Sequence, residues 1–234
     1  MSTGFHHHRR TMRVKFWSVA FGKMFELQHK QSIYLPDNPD MDSARLEEMI
    51  RSRGAKYVYD HFLMDEDVYL MRKIRPHAPT QSYQELKVAA AELLDVHVKN
   101  VAIVGSAKTG YSLCPGKEYA PFNEDSDVDL IVVSEILFRS LWEKHLDYVN
   151  SSIGVAYKHI AKSVFRHFIS VNSEKMPPEQ LHHFVDWLPK VNQLRMTCQL
   201  KFGIAAEINY RVYDDWQYVE RYHVNGLNKL VSTK

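Results

Sequence analysis

The chain has 234 residues, 45% of them hydrophobic, which is enough for one large globular domain or for a core with a helical annex. Lys and Arg total 30 against 28 Asp and Glu, and the net charge of +2 excludes a global field that would draw the protein to nucleic acid, so any basic surface must be local. Two cysteines exclude a disulfide framework or a Cys-rich zinc site, and the lack of a signal-peptide core or of a run of about 20 apolar residues favours a cytoplasmic protein with no membrane partner.

Residues 1–80 are predicted to form a partly helical N-terminal extension. Two prolines and several Asp and Asn residues within 34–43 indicate a loop. A helix is predicted next, with Ser43 as its cap and Gly54 as its end. A second break, which also contains two prolines, falls at 75–81.

Residues 81–234 are predicted to form the core of the fold. Ser82 and Glu85 have the spacing of a capping box, in which Ser accepts a hydrogen bond from an unpaired amide and Glu reaches back to the cap. This pattern predicts a helix start at Ser82. Short apolar runs at 101–105 and 128–133 predict two buried strands.

A helical insertion is predicted over 134–202, before a last strand at 206–213. Helical patterns run over 155–171 and 179–202, and Pro189 is expected to kink or split the second of these. Strands separated by helices predict an α/β (α+β) fold, in which helices cover a small mixed sheet on at least one face.

The second strand opens with an unusual concentration of negative charge, EDSDVDLIVV at 124–133. Side chains alternate along a strand, so Asp127 and Asp129 are expected to project to the same side. Two convergent carboxylates at a buried strand lose hydration and repel each other unless a cation balances them. Their oxygen ligands suit Mg²⁺ or Mn²⁺.

These carboxylates have two other interpretations. An EF-hand calcium loop fails on spacing, because Leu130 stands where the loop requires Gly and Ile136 where it requires a bidentate Glu. The remaining alternative is a solvated turn whose acids cap helices or pair with Lys or Arg.

A second polar motif, GSAKTGYS at 105–112, follows the first strand directly. Gly105 and Gly110 permit the close backbone approach that a phosphate needs, and hydroxyl donors are offered by Ser106, Thr109 and Ser112. The spacing matches neither a P-loop nor a dinucleotide-binding fingerprint. By itself the motif is equally consistent with an ordinary turn between a strand and a helix.

Together the two motifs resemble the signature of the DNA polymerase β-type nucleotidyltransferase superfamily. Gly105 and Ser106 match its Gly-Ser, and Asp127 and Asp129 match its acidic pair on the second strand. The resemblance covers residues from about 82 to 213, with a long link between the motifs and a large insertion. It implies a small mixed sheet of the nucleotidyltransferase type, a Gly-Ser turn that contacts a triphosphate, and acids that hold Mg²⁺ (or Mn²⁺) ions.

The family also has an acid on a later strand, and Glu207 is the candidate here. In AEINYRVY, alternation places Glu207, Asn209 and Arg211 on one face. The family more often has Asp at this position, and Glu207 is alternatively the partner of a neighbouring Lys or Arg. Asp214 and Asp215 are reserve candidates, although their place before the terminal helix favours helix capping.

Within the insertion, Lys158, Lys162 and Arg166 recur every four residues, which predicts a basic stripe along one helix. We expect Lys162 and Arg166 to contact nucleotide phosphates, while the alternative is a solvated helix face.

The sequence therefore predicts an enzyme that transfers a nucleoside monophosphate from an NTP, with ATP as the first candidate, to a hydroxyl acceptor and releases pyrophosphate. The acceptor stays open between RNA or tRNA, another nucleotide and a protein. One alternative is a catalytically silent fold of this type that serves as a nucleotide sensor or as a toxin or effector partner. Another is a nucleic-acid-binding module that uses the basic stripe.

Overall fold

Four short strands form the sheet on which the helices pack. The computed structural model describes residues 42–114, 116–117, 119–151, 158–171 and 176–232, which lie within the compact unit Asp40–Lys234. The strands are β1 (Val101–Val104), β2 (Val128–Val133), β3 (Phe168–Val171) and β4 (Ile208–Tyr213).

The helices surround this sheet in chain order. They are α1 (Ser43–Arg53), α2 (Ala55–Val58), α3 (Tyr69–Ile74), α4 (Pro79–Leu94), α5 (Ser106–Thr109), α6 (Glu135–Ser151), α7 (Lys158–Val164), α8 (Pro178–Leu181), α9 (Leu188–Thr197) and α10 (Trp216–Ser232). Helices α2 and α9 each continue into a π-helical turn, Tyr59–Leu63 and Cys198–Phe202, and short 3₁₀ turns lie at Val98–Asn100 and His182–Phe184.

The sheet is mixed, with the strand order β1-β2-β4-β3. Strand β2 runs antiparallel to β1 and parallel to β4, and β3 is an antiparallel edge strand. The register pairs Asp129 with Val104 on one side and with Asn209 on the other. The predicted α+β class with a small mixed sheet and flanking helices is thereby confirmed.

Alternation along β2 divides the core between the two faces of the sheet. Val128, Leu130 and Val132 join a cluster that includes residues of α4, α6 and α9, whereas Ile131 and Val133 join one that includes residues of α1, α2 and α10. Burying an aliphatic side chain contributes about 1.5–3 kcal/mol, so both layers hold the sheet strongly. The Asp129 side chain lies on the α1–α2–α10 side, at the end of its apolar cluster.

Two helix starts differ from the predictions. Helix α4 begins at Pro79 and not at Ser82, because proline has its φ fixed near the helical value and needs no hydrogen-bond acceptor in the first turn. Helix α1 is capped by Asp42, whose carboxylate accepts from the Arg45 amide at 2.8 Å, and not by Ser43. The predicted end at Gly54 is confirmed.

The single helix predicted over 155–171 is also wrong. Helix α7 ends at Val164, and His167 adopts a left-handed conformation, φ 56°, that turns the chain into β3. The predicted start falls in 152–157, outside the described residues. Because Arg166 lies beyond α7, the stripe of Lys158, Lys162 and Arg166 is not one helical row.

In the part of the chain that the structure describes, no helix is long and apolar enough to cross a membrane.

His145 on α6 should make the protein sensitive to acid. Its imidazole is buried against Phe184 and Gln180, and burial lowers the pKa of His145 to about 4. Between about pH 6.5 and 4 the unfolded chain binds a proton that the folded chain does not, so the free energy of unfolding falls on acidification by up to about 1.4 kcal/mol per pH unit. Denaturant unfolding at pH 7 and pH 5 measures this slope.

The His145→Asn variant is expected to lose less stability over that interval than the wild type, although it starts from a lower value at pH 7. His182→Asn, at an exposed position, is the control and keeps the wild-type slope. An unchanged slope in His145→Asn would contradict the assignment.

Candidate active site

A cavity of about 810 Å³ lies where the turn after β1, the strands β2 and β4, and helix α10 meet. Five of the seven site residues predicted from the sequence line it, namely Gly105, Ser106, Asp127, Asp129 and Arg166. Lys162 and Glu207 are not among its described lining residues. The structure thus brings the two motifs and the basic turn before β3 to one place.

The Gly-Ser turn packs directly against the second carboxylate. Gly105 has φ 69° and ψ −153°, a conformation that is almost restricted to glycine. A Cβ at this position would lie 2.7 Å from Oδ2 of Asp129. The cause is the register of the sheet, which pairs Val104 with Asp129 and so brings the following residue beside the carboxylate.

The other residues of this turn divide between the cavity and the interior. Ser106 and Ser112 line the cavity, whereas the Thr109 hydroxyl is directed to the backbone carbonyls of Gly105 and Tyr111. Gly110 faces the ring of Tyr69, 2.8 Å from where its Cβ would be. Gly110 is not among the described residues that line the cavity, and its role toward a phosphate stays a prediction.

Lys108 lies inside the same turn and has a structural position. Its ammonium group is buried and donates to the backbone carbonyls of Asp65 and Asp67 and to the Asp65 carboxylate. Burial lowers the pKa of Lys108, and the charge of Asp65 opposes that shift. The lysine thereby fixes the segment between α2 and α3 beneath the Gly-Ser turn.

Each of the two carboxylates has a partner on β4. Asn209 donates its side-chain amide to Asp127, and a guanidinium nitrogen of Arg211 lies 3.1 Å from Oδ1 of Asp129. Burial lowers the pKa of Arg211 and the charge of Asp129 raises it, with a raised pKa as the net result. The arginine therefore stays charged and balances part of the negative charge.

Glu207 is not among the described residues that line the cavity. It directly precedes β4, and its backbone carbonyl accepts from the Val128 amide at 2.8 Å. The β4 residues that line the cavity are Asn209 and Arg211. Among the described residues, no group of three or more His, Cys, Asp and Glu side chains is placed to hold a metal ion. The role of Glu207 stays a prediction.

The two reserve acids have other partners. Asp214 Oδ2 lies 2.8 Å from Nδ1 of His167. Asp215 accepts from the Gln217 amide at 2.8 Å and so caps α10, as its place in the sequence predicted.

Positive charge dominates the lining of the cavity. Five Lys or Arg residues line it together with the two aspartates, namely Lys117, Arg166, Arg211, Arg221 and Lys229. The basic residues of α10 were not predicted to line the site, although their spacing in the sequence indicates a shared face. Arg221, Asn225 and Lys229 recur every four residues and so share one face of that helix.

Aromatic rings complete the wall formed by α10. The guanidinium groups of Arg166 and Arg211 lie 5.8 and 5.5 Å from the ring of Tyr222. His223 also lines the cavity, but its Nε2 atom is buried and has no hydrogen-bond partner within the described residues. Burial and the charge of Arg211 lower the pKa of His223 to about 3, so its imidazole is neutral at pH 7.

Comparisons with protein-family models, with curated proteins and with solved structures each found no significant match.

Replacement of Gly105 by alanine should disrupt the site through the contact with Asp129. The new methyl group would overlap Oδ2, so we expect a loss of stability together with a displacement of the carboxylate. Gly54→Ala is the matched control, because Gly54 has a similar backbone conformation, φ 89° and ψ 154°, but nothing lies within 4 Å of its Cβ position.

Both variants carry the backbone strain, of about 1–3 kcal/mol, and only Gly105→Ala carries the overlap. Denaturant unfolding and titration with Mg²⁺–ATP are the measurements. Equal effects of the two substitutions would show that the Asp129 contact has no role.

Proposed function

We propose that this chain is a metal-dependent nucleotidyltransferase that moves a nucleoside monophosphate from an NTP to a hydroxyl acceptor with release of pyrophosphate. The observation that carries the proposal is the joint placement of the Gly-Ser turn, Asp127 and Asp129 in one cavity whose other walls are basic. A triphosphate needs such a combination, because its reacting end binds metal while its remaining oxygens need cationic partners. ATP is the proposed donor.

The two aspartates fit a magnesium ion. Mg²⁺ is usually held by one or two carboxylates together with substrate phosphates and water, so Asp127 and Asp129 form a sufficient protein contribution. When bound, the ion would polarise the phosphoryl oxygens and neutralise the charge that develops on them. Glu207 is the candidate for a further acid, in line with the family pattern.

The cations supply the part of the reaction that depends on positioning. Arg166, Arg221 and Lys229 project from two different segments toward one space, so they can neutralise and orient a polyphosphate. Ser106 adds a hydroxyl beside Gly105, where the missing side chain lets a phosphate approach the backbone closely. A cavity of this volume falls within the range of about 300–1,000 Å³ that is usual for small-molecule sites.

A second candidate is a catalytically silent fold that binds a nucleotide as a sensor. One observation favours it: the side chains that β4 places beside the two aspartates are an amide, Asn209, and a guanidinium, Arg211. Binding without transfer would follow if these two side chains replace a catalytic acid. The acceptor for the first candidate stays open between RNA or tRNA, a nucleotide and a protein.

Transfer of label from an α-labelled NTP tests the proposal. Wild type, Asp127→Asn and Asp129→Asn are incubated with Mg²⁺ or Mn²⁺, with and without cellular RNA, and nucleotide, RNA and protein products are resolved. We expect transfer by the wild type and a loss of about 10²-fold or more in each variant, because each loses one charged ligand.

Asp147→Asn, on the exposed face of α6, is the control and keeps full activity. Label that is bound by the wild type and never transferred would refute the enzyme and favour the sensor.

Arg166 and Lys162 form a matched pair for the phosphate contacts. Both are exposed cations close together in sequence, but only Arg166 lines the cavity. We expect Arg166→Ala to weaken Mg²⁺–ATP binding about tenfold, the cost of one charge-assisted hydrogen bond. Lys162→Ala leaves the affinity unchanged. Equal losses at both positions, measured by calorimetry at fixed ionic strength, would mean that a general basic surface binds the nucleotide.

A further inference from the structure

A histidine–aspartate pair lies on the wall of the cavity and takes no part in the binding described so far. His167 lines the cavity, and its Nδ1 is 2.8 Å from Oδ2 of Asp214. The imidazole also stacks on the ring of Tyr218, with the ring centroids 3.7 Å apart and the planes within 2°. The ring is thus held both at one edge and across one face.

This arrangement determines which nitrogen is available. An ionised carboxylate only accepts hydrogen bonds, so Asp214 favours the tautomer with its proton on Nδ1 and leaves the lone pair on Nε2. The other carboxylate oxygen, Oδ1, is buried and has no partner within the described residues. His167 keeps 43% of its side chain exposed, against 21% for Asp214, so a ligand can reach the imidazole while the carboxylate stays behind it.

The backbone at this position is strained. His167 has φ 56° in the turn between α7 and β3, and its amide donates to the Val164 carbonyl at 2.9 Å. A left-handed conformation costs a residue other than glycine about 1–2 kcal/mol. Strained residues cluster at functional sites, where the surrounding structure over-determines them. Here the start of β3 and the contact with Asp214 hold the residue in place.

Transfer to a hydroxyl needs a group that accepts the hydroxyl proton. Asp127 and Asp129 are engaged by Asn209 and Arg211, and a metal would use their remaining oxygens. His223 is unsuited, because its Nε2 atom is buried and Arg211 disfavours its protonation. Among the described lining residues, His167 combines a partly exposed imidazole with an orienting carboxylate.

We propose that His167 is the general base of the reaction, with Asp214 and Tyr218 as its positioning residues; this rests on the proposed nucleotidyl transfer. Nε2 takes the proton from the acceptor hydroxyl, and the oxygen lone pair forms the new bond to the α-phosphorus. The bond from that phosphorus to the bridging oxygen breaks, and its electron pair leaves with pyrophosphate. The proton on Nε2 then passes to water.

The groups around His167 are consistent with this exchange. Asp214 faces it from the link between β4 and α10 and stabilises the imidazolium that forms. Tyr218 stacks on it from α10, with the Arg221 guanidinium 5.7 Å from the Tyr218 ring, and Arg166 precedes it in the turn.

Three variants test the role of His167. Asn tolerates the left-handed conformation and keeps an amide donor, so His167→Asn removes the base, together with the stacking on Tyr218, without adding backbone strain. His167→Gly relieves the backbone strain and leaves space for added imidazole. Asp214→Asn tests the positioning residue. The measurements are label transfer as kcat and KM over a range of pH, and Mg²⁺–ATP affinity by calorimetry.

We expect kcat of His167→Asn to fall about 10²–10⁴-fold, with the KM and the affinity for ATP unchanged. The acid limb of the kcat profile, where protonation inactivates the wild-type base, disappears. Imidazole restores activity to His167→Gly in proportion to its neutral form and does not accelerate the wild type. Asp214→Asn lowers kcat without loss of ATP binding.

A wild-type kcat and acid limb in His167→Asn would overturn the role of His167 and leave the proposed function intact. A wild type that binds ATP and transfers no label to any acceptor would refute the proposed function, and the general base with it.

Discussion

The structure of the site depends on how two carboxylates are tolerated at the start of a buried strand. Asp127 directly precedes β2 and Asp129 lies in it, and β2 has a neighbouring strand on each side, so loss of hydration and mutual repulsion would otherwise oppose folding. Strand β4 compensates with an amide on one acid and a guanidinium on the other. Part of the negative charge is therefore balanced at the point where the sheet meets the cavity.

The position of the Asp129 carboxylate also determines the conformation of the turn after β1, and helix α10 forms another wall of the cavity. Because Asp129 lies beside the end of β1, the chain must leave that strand through Gly105, and the turn is then anchored from below by the buried Lys108. Helix α10 covers the sheet with its apolar side and lines the cavity with Arg221 and Lys229. One side of α10 thus packs in the core, and another side supplies the basic residues of the cavity wall. The same helix positions His167, because the imidazole stacks on Tyr218.

The elements that the sequence predicted well have local causes. Strand β2 was predicted with its observed bounds, because an apolar run interrupted only by Asp129 and flanked by polar residues is typical of a buried strand. The end of α1 at Gly54 follows from the conformational freedom of glycine. The errors concern segments in which two local signals compete: a capping box gave way to Pro79 at the start of α4, and a helical spacing over 155–171 concealed β3, whose residues Phe168 and Ile169 are buried by pairing with β4.

By itself, the sequence determined which residues carry the charge and which strands carry the motifs, because those features depend on neighbours along the chain. It identified Gly105, Ser106, Asp127 and Asp129, all of which line one cavity. Only the tertiary structure decided which side chains contact these residues and which line the cavity beside them. Arg211 pairs with Asp129, and His167 contacts Asp214, so each contact joins residues 47 or more positions apart. Helix α10 likewise lines the cavity from the far end of the sequence. The order of strands in the sheet sets such contacts, and no local pattern encodes that order.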